Sequence, residues 1–140
     1  MFMHIVVAAK PDADQPWVAD AVADLVKQTG ATVAVISVDE VELERLAAAP
    51  RSVFTQAAER ASAKMADHLA AAGVQATKTV APGRPVQAIL DFADQENADL
   101  IVVGSSSRPT VAQLLGSVPL DLIKRSRRPV TVVTHPRHAR

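Results

Sequence analysis

Short runs rich in valine and isoleucine alternate along the chain with longer segments in which apolar residues recur every three or four positions. The short runs predict five β-strands, which cover residues 4–9, 32–38, 74–80, 99–104 and 129–134. Four of these runs are apolar on both faces, as in a parallel sheet with helices on each side. The run 74–80 alternates apolar with polar residues and therefore indicates an edge strand.

The segments between the strands predict four helices. Pro16 and Pro85 suit the first turns of the first and third helices, because a first-turn residue needs no backbone N–H. Gly30 and Gly73 end the first and second helices, and the fourth covers about 118–126. This alternation predicts an α/β fold with a single doubly wound, Rossmann-like five-stranded parallel sheet. Right-handed crossovers favour the strand order 3-2-1-4-5, with helices on both faces.

Composition narrows the class of protein. The 140 residues suit one domain, expected over 1–134, followed by a basic tail, 135–140, that we expect to be disordered. Fifteen basic and fifteen acidic residues give no bulk attraction to nucleic acid or to a membrane. The chain has no cysteine, which excludes disulfides, thiolate metal sites and thiol nucleophiles. Without a basic leader or an apolar run near the ~18 residues of a membrane helix, we expect a cytoplasmic protein.

One stretch carries candidate chemistry. VVGSSSRPTVAQLLGSV, residues 102–118, leaves the carboxyl end of the predicted fourth strand, where doubly wound sheets bind ligands. Gly104 would let the backbone turn and approach a ligand closely, and Ser117 is a candidate cap for the last helix, whose amino end attracts anions. Glycine followed by serines is also common at strand ends. The residues alone therefore leave two interpretations open, a phosphate site and an ordinary polar turn.

Three features of the C-terminal half carry a family resemblance. They are Gly83-x-Pro85 before the third helix, ADLIVVG at 98–104, and GSV at 116–118 before RRPVTVV. With the strand, helix, strand and variable connector that precede them, they resemble the universal stress protein family. The resemblance implies a regulatory protein that binds an adenine nucleotide (ATP, AMP or cAMP), with or without Mg²⁺.

The resemblance also implies a nucleotide site, with the phosphates on the glycine loop and the adenine near the second strand. Carried over by position, the site comprises Ala8, Ala9, Lys10, Val38, Val103, Gly104, Ser107, Gly116, Ser117 and Val118. Two departures from the family pattern stand out. Ser107 replaces a glycine and is separated from Gly116 by eight residues instead of nine, and Lys10 replaces an acidic residue. A lysine can neutralise a phosphate but cannot accept hydrogen bonds from a ribose.

Two functional interpretations follow. The first is the nucleotide-binding regulatory protein. The second is a degenerate member that binds no nucleotide and acts as a dimeric interaction module for an unidentified regulatory protein. We expect no enzyme, because neither a serine–histidine–acid order nor a paired-carboxylate motif stands out.

Three smaller features complete the sequence reading. The apolar strand 129–134 should lie at a sheet edge, where self-pairing across a two-fold axis would cover it, so we expect a homodimer. His135 and His138 lack a carboxylate partner, so we expect no metal site. The basic residues after Lys124 come with no aromatic binding motif, so we expect no nucleic-acid partner.

Overall fold

The computed structural model describes residues 2–11, 13–40, 51–105 and 117–136. The strands in these residues are β1 (His4–Ala8), β2 (Thr32–Glu40), β3 (Ala76–Gly83), β4 (Leu100–Gly104) and β5 (Val130–Val133). The helices are α1 (Pro16–Thr29), α2 (Arg51–Ala71), α3 (Pro85–Gln95) and α4 (Ser117–Arg125). Strand and helix alternate in the described residues as the hydrophobic pattern predicts.

The five strands form one parallel sheet in the order β3-β2-β1-β4-β5. The predicted fold class and strand order are therefore confirmed. The chain first winds from β1 outward through β2 to β3, and then returns to the other side of β1 to form β4 and β5. The winding direction thus changes between β1 and β4, which places a crevice beyond the carboxyl ends of these two strands.

The central strands have apolar side chains on both faces, which explains why helices pack against both faces of the sheet. In β2, Val33 and Val35 belong to a core with β1, β4, α1 and α2, while Ala34, Ile36 and Val38 belong to a second core with α3. Leu122 of α4 is also fully buried in the second core. Burying each Val or Ile contributes about 1.5–3 kcal/mol before the entropy cost of ordering.

All five strands differ from the predicted bounds at one end or both, and β2 and β3 differ by two residues or more. β2 continues to Glu40 and β3 to Gly83, because the two pair residue by residue up to those positions. β3 begins at Ala76 instead of 74, since the N–H of Val74 donates to the Leu69 carbonyl of α2 at 2.8 Å and the pairing with β2 starts at Ala76. The predicted edge position of this strand is confirmed.

The helix boundaries follow from proline and glycine. Pro16 and Pro85 are the first residues of α1 and α3, where no intrahelical N–H bond is lost. Gly30 has the left-handed φ of 71°, and its N–H donates to the Val26 carbonyl at 2.7 Å. This geometry ends α1 as the sequence predicts.

Candidate functional site

A cavity of about 250 Å³ lies at the carboxyl ends of β1, β2 and β4. It is closed on one side by the first turns of α3 and α4, through Pro85 and Pro119. This is the crevice that the change of winding direction creates. The lining residues are Ala8, Ala9, Lys10, Pro11, Gln15, Ile36, Val38, Glu40, Pro85, Ile89, Val103, Gly104, Ser105, Val118 and Pro119.

Seven of the ten residues that the family resemblance assigns to a nucleotide site line this cavity. They are Ala8, Ala9, Lys10, Val38, Val103, Gly104 and Val118. Ser117 is the first residue of α4, and its side chain is outside what the structure describes. Ser107 and Gly116 also lie outside the described residues.

The cavity has two charged side chains among its described lining, Lys10 after β1 and Glu40 at the end of β2. Alternation along β2 places Glu40 on the same face as Ile36 and Val38. Burial raises the pKa of Glu40 above its usual value, and the positive charge of Lys10 acts against that rise. The cavity therefore holds a carboxylate acceptor at one strand end and an ammonium donor at the next.

Gly104 is required at the end of β4 for a reason that the sequence does not reveal. Its φ is not positive, so it does not supply the sharp turn that we expect from the sequence. A Cβ at this position would lie 2.7 Å from Nε2 of Gln15 and 2.8 Å from Cγ2 of Val18. The glycine therefore makes room for the start of α1 against the sheet.

Gln15 is a buried polar residue that the sequence analysis missed. It precedes Pro16 at the start of α1 but makes no capping hydrogen bond with its side chain. Its Oε1 instead accepts a hydrogen bond from the backbone N–H of Lys10 at 3.3 Å, and only 6% of the residue is exposed. Its side chain thus folds back toward the loop after β1 and becomes part of the cavity wall.

Ser105 joins the cavity to the end of the chain. Its N–H donates to the Val133 carbonyl at 2.9 Å, and its Oγ accepts from the N–H of His135 at 3.0 Å. The His135 ring packs edge-on against Trp17 of α1, with 4.4 Å between ring centroids. His135 thus contacts both Ser105 and Trp17, and positions 137–140 of the predicted tail lie outside the described residues.

Comparison with known proteins identifies the family of the chain. The model of the "Universal stress protein family" matches residues 1–134. The chain belongs to the universal stress protein family. The universal stress protein Rv1636 of Mycobacterium tuberculosis is 46% identical over 52 residues, which are 36% of this chain and 36% of that protein. The alignment thus spans little more than a third of that curated relative.

Solved universal stress proteins share the whole fold. One from Archaeoglobus fulgidus superposes with a TM-score of 0.76 at 23% identity, covering 96% of this chain and all (100%) of that one. A universal stress protein crystallised in complex with cAMP has a TM-score of 0.73 at 26% identity, covering 94% and 97% of the two chains. None of the helices in the described residues is long and apolar enough to cross a membrane.

The site of this universal stress protein combines two kinds of surface. Ile36, Val38, Ile89 and Val103 form an apolar wall that suits a flat ring. Lys10, Gln15 and Ser105 contribute polar groups to the same lining, and Nε2 of Gln15 lies beside Gly104. Within the described residues, no group of three or more histidine, aspartate or glutamate side chains could hold a metal ion. The cavity thus combines an apolar surface with polar groups.

Glu40 is a further lining residue that the sequence analysis missed, and Ser105 lines the cavity as part of the candidate stretch 102–118. Glu40 falls two residues beyond position 38, where the predicted second strand ends. Extending the alternation of β2 from Ile36 and Val38 by two residues would have found it. Ser105 was one of three consecutive serines, and no sequence signal distinguishes it from its neighbours.

Proposed function

We propose that this protein binds an adenine nucleotide (ATP, AMP or cAMP) in the cavity and acts as a regulatory protein. The observation that carries the proposal is the convergence of Lys10, Gly104 and the amino end of α4 on an apolar cavity at the switch point of the sheet. The cAMP complex of the 26%-identical universal stress protein supports the same ligand class.

The polarity of the cavity favours one orientation of the nucleotide. The phosphates would lie near Lys10 and the first turn of α4, because an ammonium and free helix N–H groups both attract anions. The adenine would pack on Ile36 and Val38. Glu40 would then accept hydrogen bonds from ribose hydroxyls or the adenine amine. It would supply the acidic acceptor that Lys10 replaces at the end of β1.

The role we propose is regulatory and not enzymatic, in the cytoplasm. Occupancy would bias the chain between Gly104 and Val118, and with it a surface for a regulatory protein partner. When the ligand is ATP, Mg²⁺ would bind its phosphates, since Mg²⁺ commonly uses substrate phosphates as ligands.

We further propose a homodimer through the edge of β5. Val130 and Val132 are only half-buried at this edge, and Leu120 and Ile123 of the neighbouring α4 are 37% and 51% exposed. A second copy would cover this apolar surface. Val132→Lys should therefore give monomers in size-exclusion chromatography. Thr77→Lys on the opposite edge strand is the control and should leave the dimer intact, and a dimeric Val132→Lys protein would exclude this interface.

Calorimetric titration with ATP, AMP and cAMP tests the nucleotide proposal. We expect binding that weakens about tenfold in Lys10→Met, because a hydrogen bond or ion contact to a charged phosphate is lost. Lys78→Met, on the edge strand β3, removes a lysine outside the cavity and should bind like the wild type. If the folded wild-type protein binds none of the three nucleotides, the proposal is wrong. The interaction module without nucleotide then becomes the better interpretation.

A further inference from the structure

The side-chain amide of Gln15 has a fixed orientation. Its Oε1 accepts the Lys10 N–H, so the NH₂ group must point the other way, toward Gly104. The reversed amide would bring two donors together at Lys10 and is excluded by the hydrogen-bond pattern. The position of Nε2 beside the Gly104 backbone is therefore determined by the fold.

The Nε2 donors of Gln15 have no hydrogen-bond partner among the described residues. The residue is 94% buried, as the complement of its 6% exposed fraction, and it lines the cavity. Buried polar groups in native proteins are normally hydrogen bonded. Two N–H donors of fixed orientation therefore lie at the wall of the cavity, where an acceptor on a ligand can reach them.

We propose that Gln15 is a ligand-binding residue whose side-chain NH₂ donates to a phosphate oxygen of the bound nucleotide. The inference rests on the proposed function and adds a contact that neither the sequence motif nor the family resemblance assigns. The acceptor is a phosphate because the Gln15 amide lies between Gly104 and Lys10, and Lys10 is the positively charged residue of the described cavity lining. The Glu40 carboxylate lies at the end of β2, which β1 separates from β4 and Gly104.

Two substitutions separate binding from a structural role. Gln15→Glu keeps the size of the side chain and an oxygen for the Lys10 N–H, but it replaces the NH₂ donor with a carboxylate oxygen. Gln15→Met keeps the length and removes both polar groups. If Gln15 only held the loop after β1, Gln15→Glu would leave AMP binding close to the wild-type value and Gln15→Met would weaken it more. A phosphate contact predicts the opposite order, with the larger loss of AMP binding in Gln15→Glu.

The experiment is calorimetric titration of wild type, Gln15→Glu and Gln15→Met with AMP and with adenosine. For AMP, we expect a loss of about tenfold in Gln15→Met and about a hundredfold in Gln15→Glu, where repulsion of the phosphate adds to the lost donor. Adenosine has no phosphate and should bind all three proteins within about twofold. As a check without substitution, AMP should shift the Gln15 side-chain NH₂ resonances of the wild-type protein, and adenosine should not.

Each other result overturns the inference in a recognisable way. Unchanged AMP binding by Gln15→Glu, with no AMP-dependent shift of the wild-type NH₂ resonances, would leave Gln15 a structural residue while the proposed function stands. Equal losses for AMP and adenosine would place the contact on the base or ribose instead of the phosphate. If the wild-type protein binds no AMP, the inference about Gln15 and the proposal of AMP as a ligand are both wrong. If it binds neither ATP nor cAMP as well, the proposed function is wrong.

Discussion

The two ends of the same parallel sheet treat their polar groups in opposite ways. At the amino end, the ring nitrogens of His4 lie 2.6 Å from Oγ1 of Thr32 and 2.9 Å from Oε1 of Glu96. The carboxylate of Asp99 accepts the N–H groups of Met3 and His4. At the carboxyl end, Nε2 of Gln15, Nε1 of Trp17 and Oδ1 of Asp39 have no partners among the described residues. The polar groups named at the amino end are hydrogen bonded within the fold, whereas those named at the carboxyl end are not.

The pKa shifts of one carboxylate at each end show the same contrast, since the pKa of Asp99 is lowered and that of Glu40 is raised. Desolvation acts to raise the pKa of Asp99, but the backbone N–H donors of Met3 and His4 outweigh it and lower that pKa. Burial raises the pKa of Glu40, and Lys10 offsets only part of this effect. A carboxylate is therefore stabilised at the amino end and destabilised at the cavity. Polar groups left unsatisfied by the fold indicate where a ligand is expected.

The largest expected effect comes from filling the tight space beside the cavity. Gly104→Ala places a Cβ against Gln15 and Val18 and should lower the free energy of unfolding by about 1–3 kcal/mol in urea titrations. The loss should be smaller in a Val18→Ala background, where room has been made. An equal loss in both backgrounds would show that Val18 does not set the requirement for glycine.

A smaller loss is expected at the amino end. Asn at position 99 can accept only one of the two backbone N–H groups, so Asp99→Asn should cost about 1 kcal/mol at pH 7, with solvent exposure limiting the effect. Because the folded-state pKa is lowered, this stability is present above the unfolded-state pKa of about 3.9 and is lost as the pH falls below it. Urea titrations from pH 3 to pH 7 measure it. Asp24→Asn, an exposed residue of α1, is the control, and a pH-independent difference would contradict the assignment.

The smallest expected effect is a gain in stability at the cavity. Glu40→Gln removes a carboxylate whose folded-state pKa is raised, so it should stabilise the ligand-free protein at pH 7 by ~0.3 kcal/mol after solvent screening. The wild-type protein has its full stability below the unfolded-state pKa of about 4.3 and loses some as the pH rises through the folded value. The gain should therefore vanish at pH 4. Destabilisation by Glu40→Gln at pH 7 would remove the contrast between the two ends.

Sequence alone predicts the architecture because its signals are local. Val and Ile runs, first-turn prolines and Gly30 each act through neighbouring residues, and the strand order follows from handedness. Gln15 shows why the site is harder to predict. A glutamine before a proline looks like a poor helix cap, and its contacts with Lys10 and Gly104 exist only once β1, β4 and α1 are assembled.

The contact between Trp17 and His135 has a practical consequence. The chain contains one tryptophan and no tyrosine, so its ultraviolet emission comes from a single indole. That indole packs against the residue whose backbone N–H binds Ser105 in the cavity wall. We therefore expect a ligand that displaces Ser105 to change the surroundings of this indole through His135. The protein therefore carries its own label, and its intrinsic fluorescence can follow events at the site in the unmodified chain.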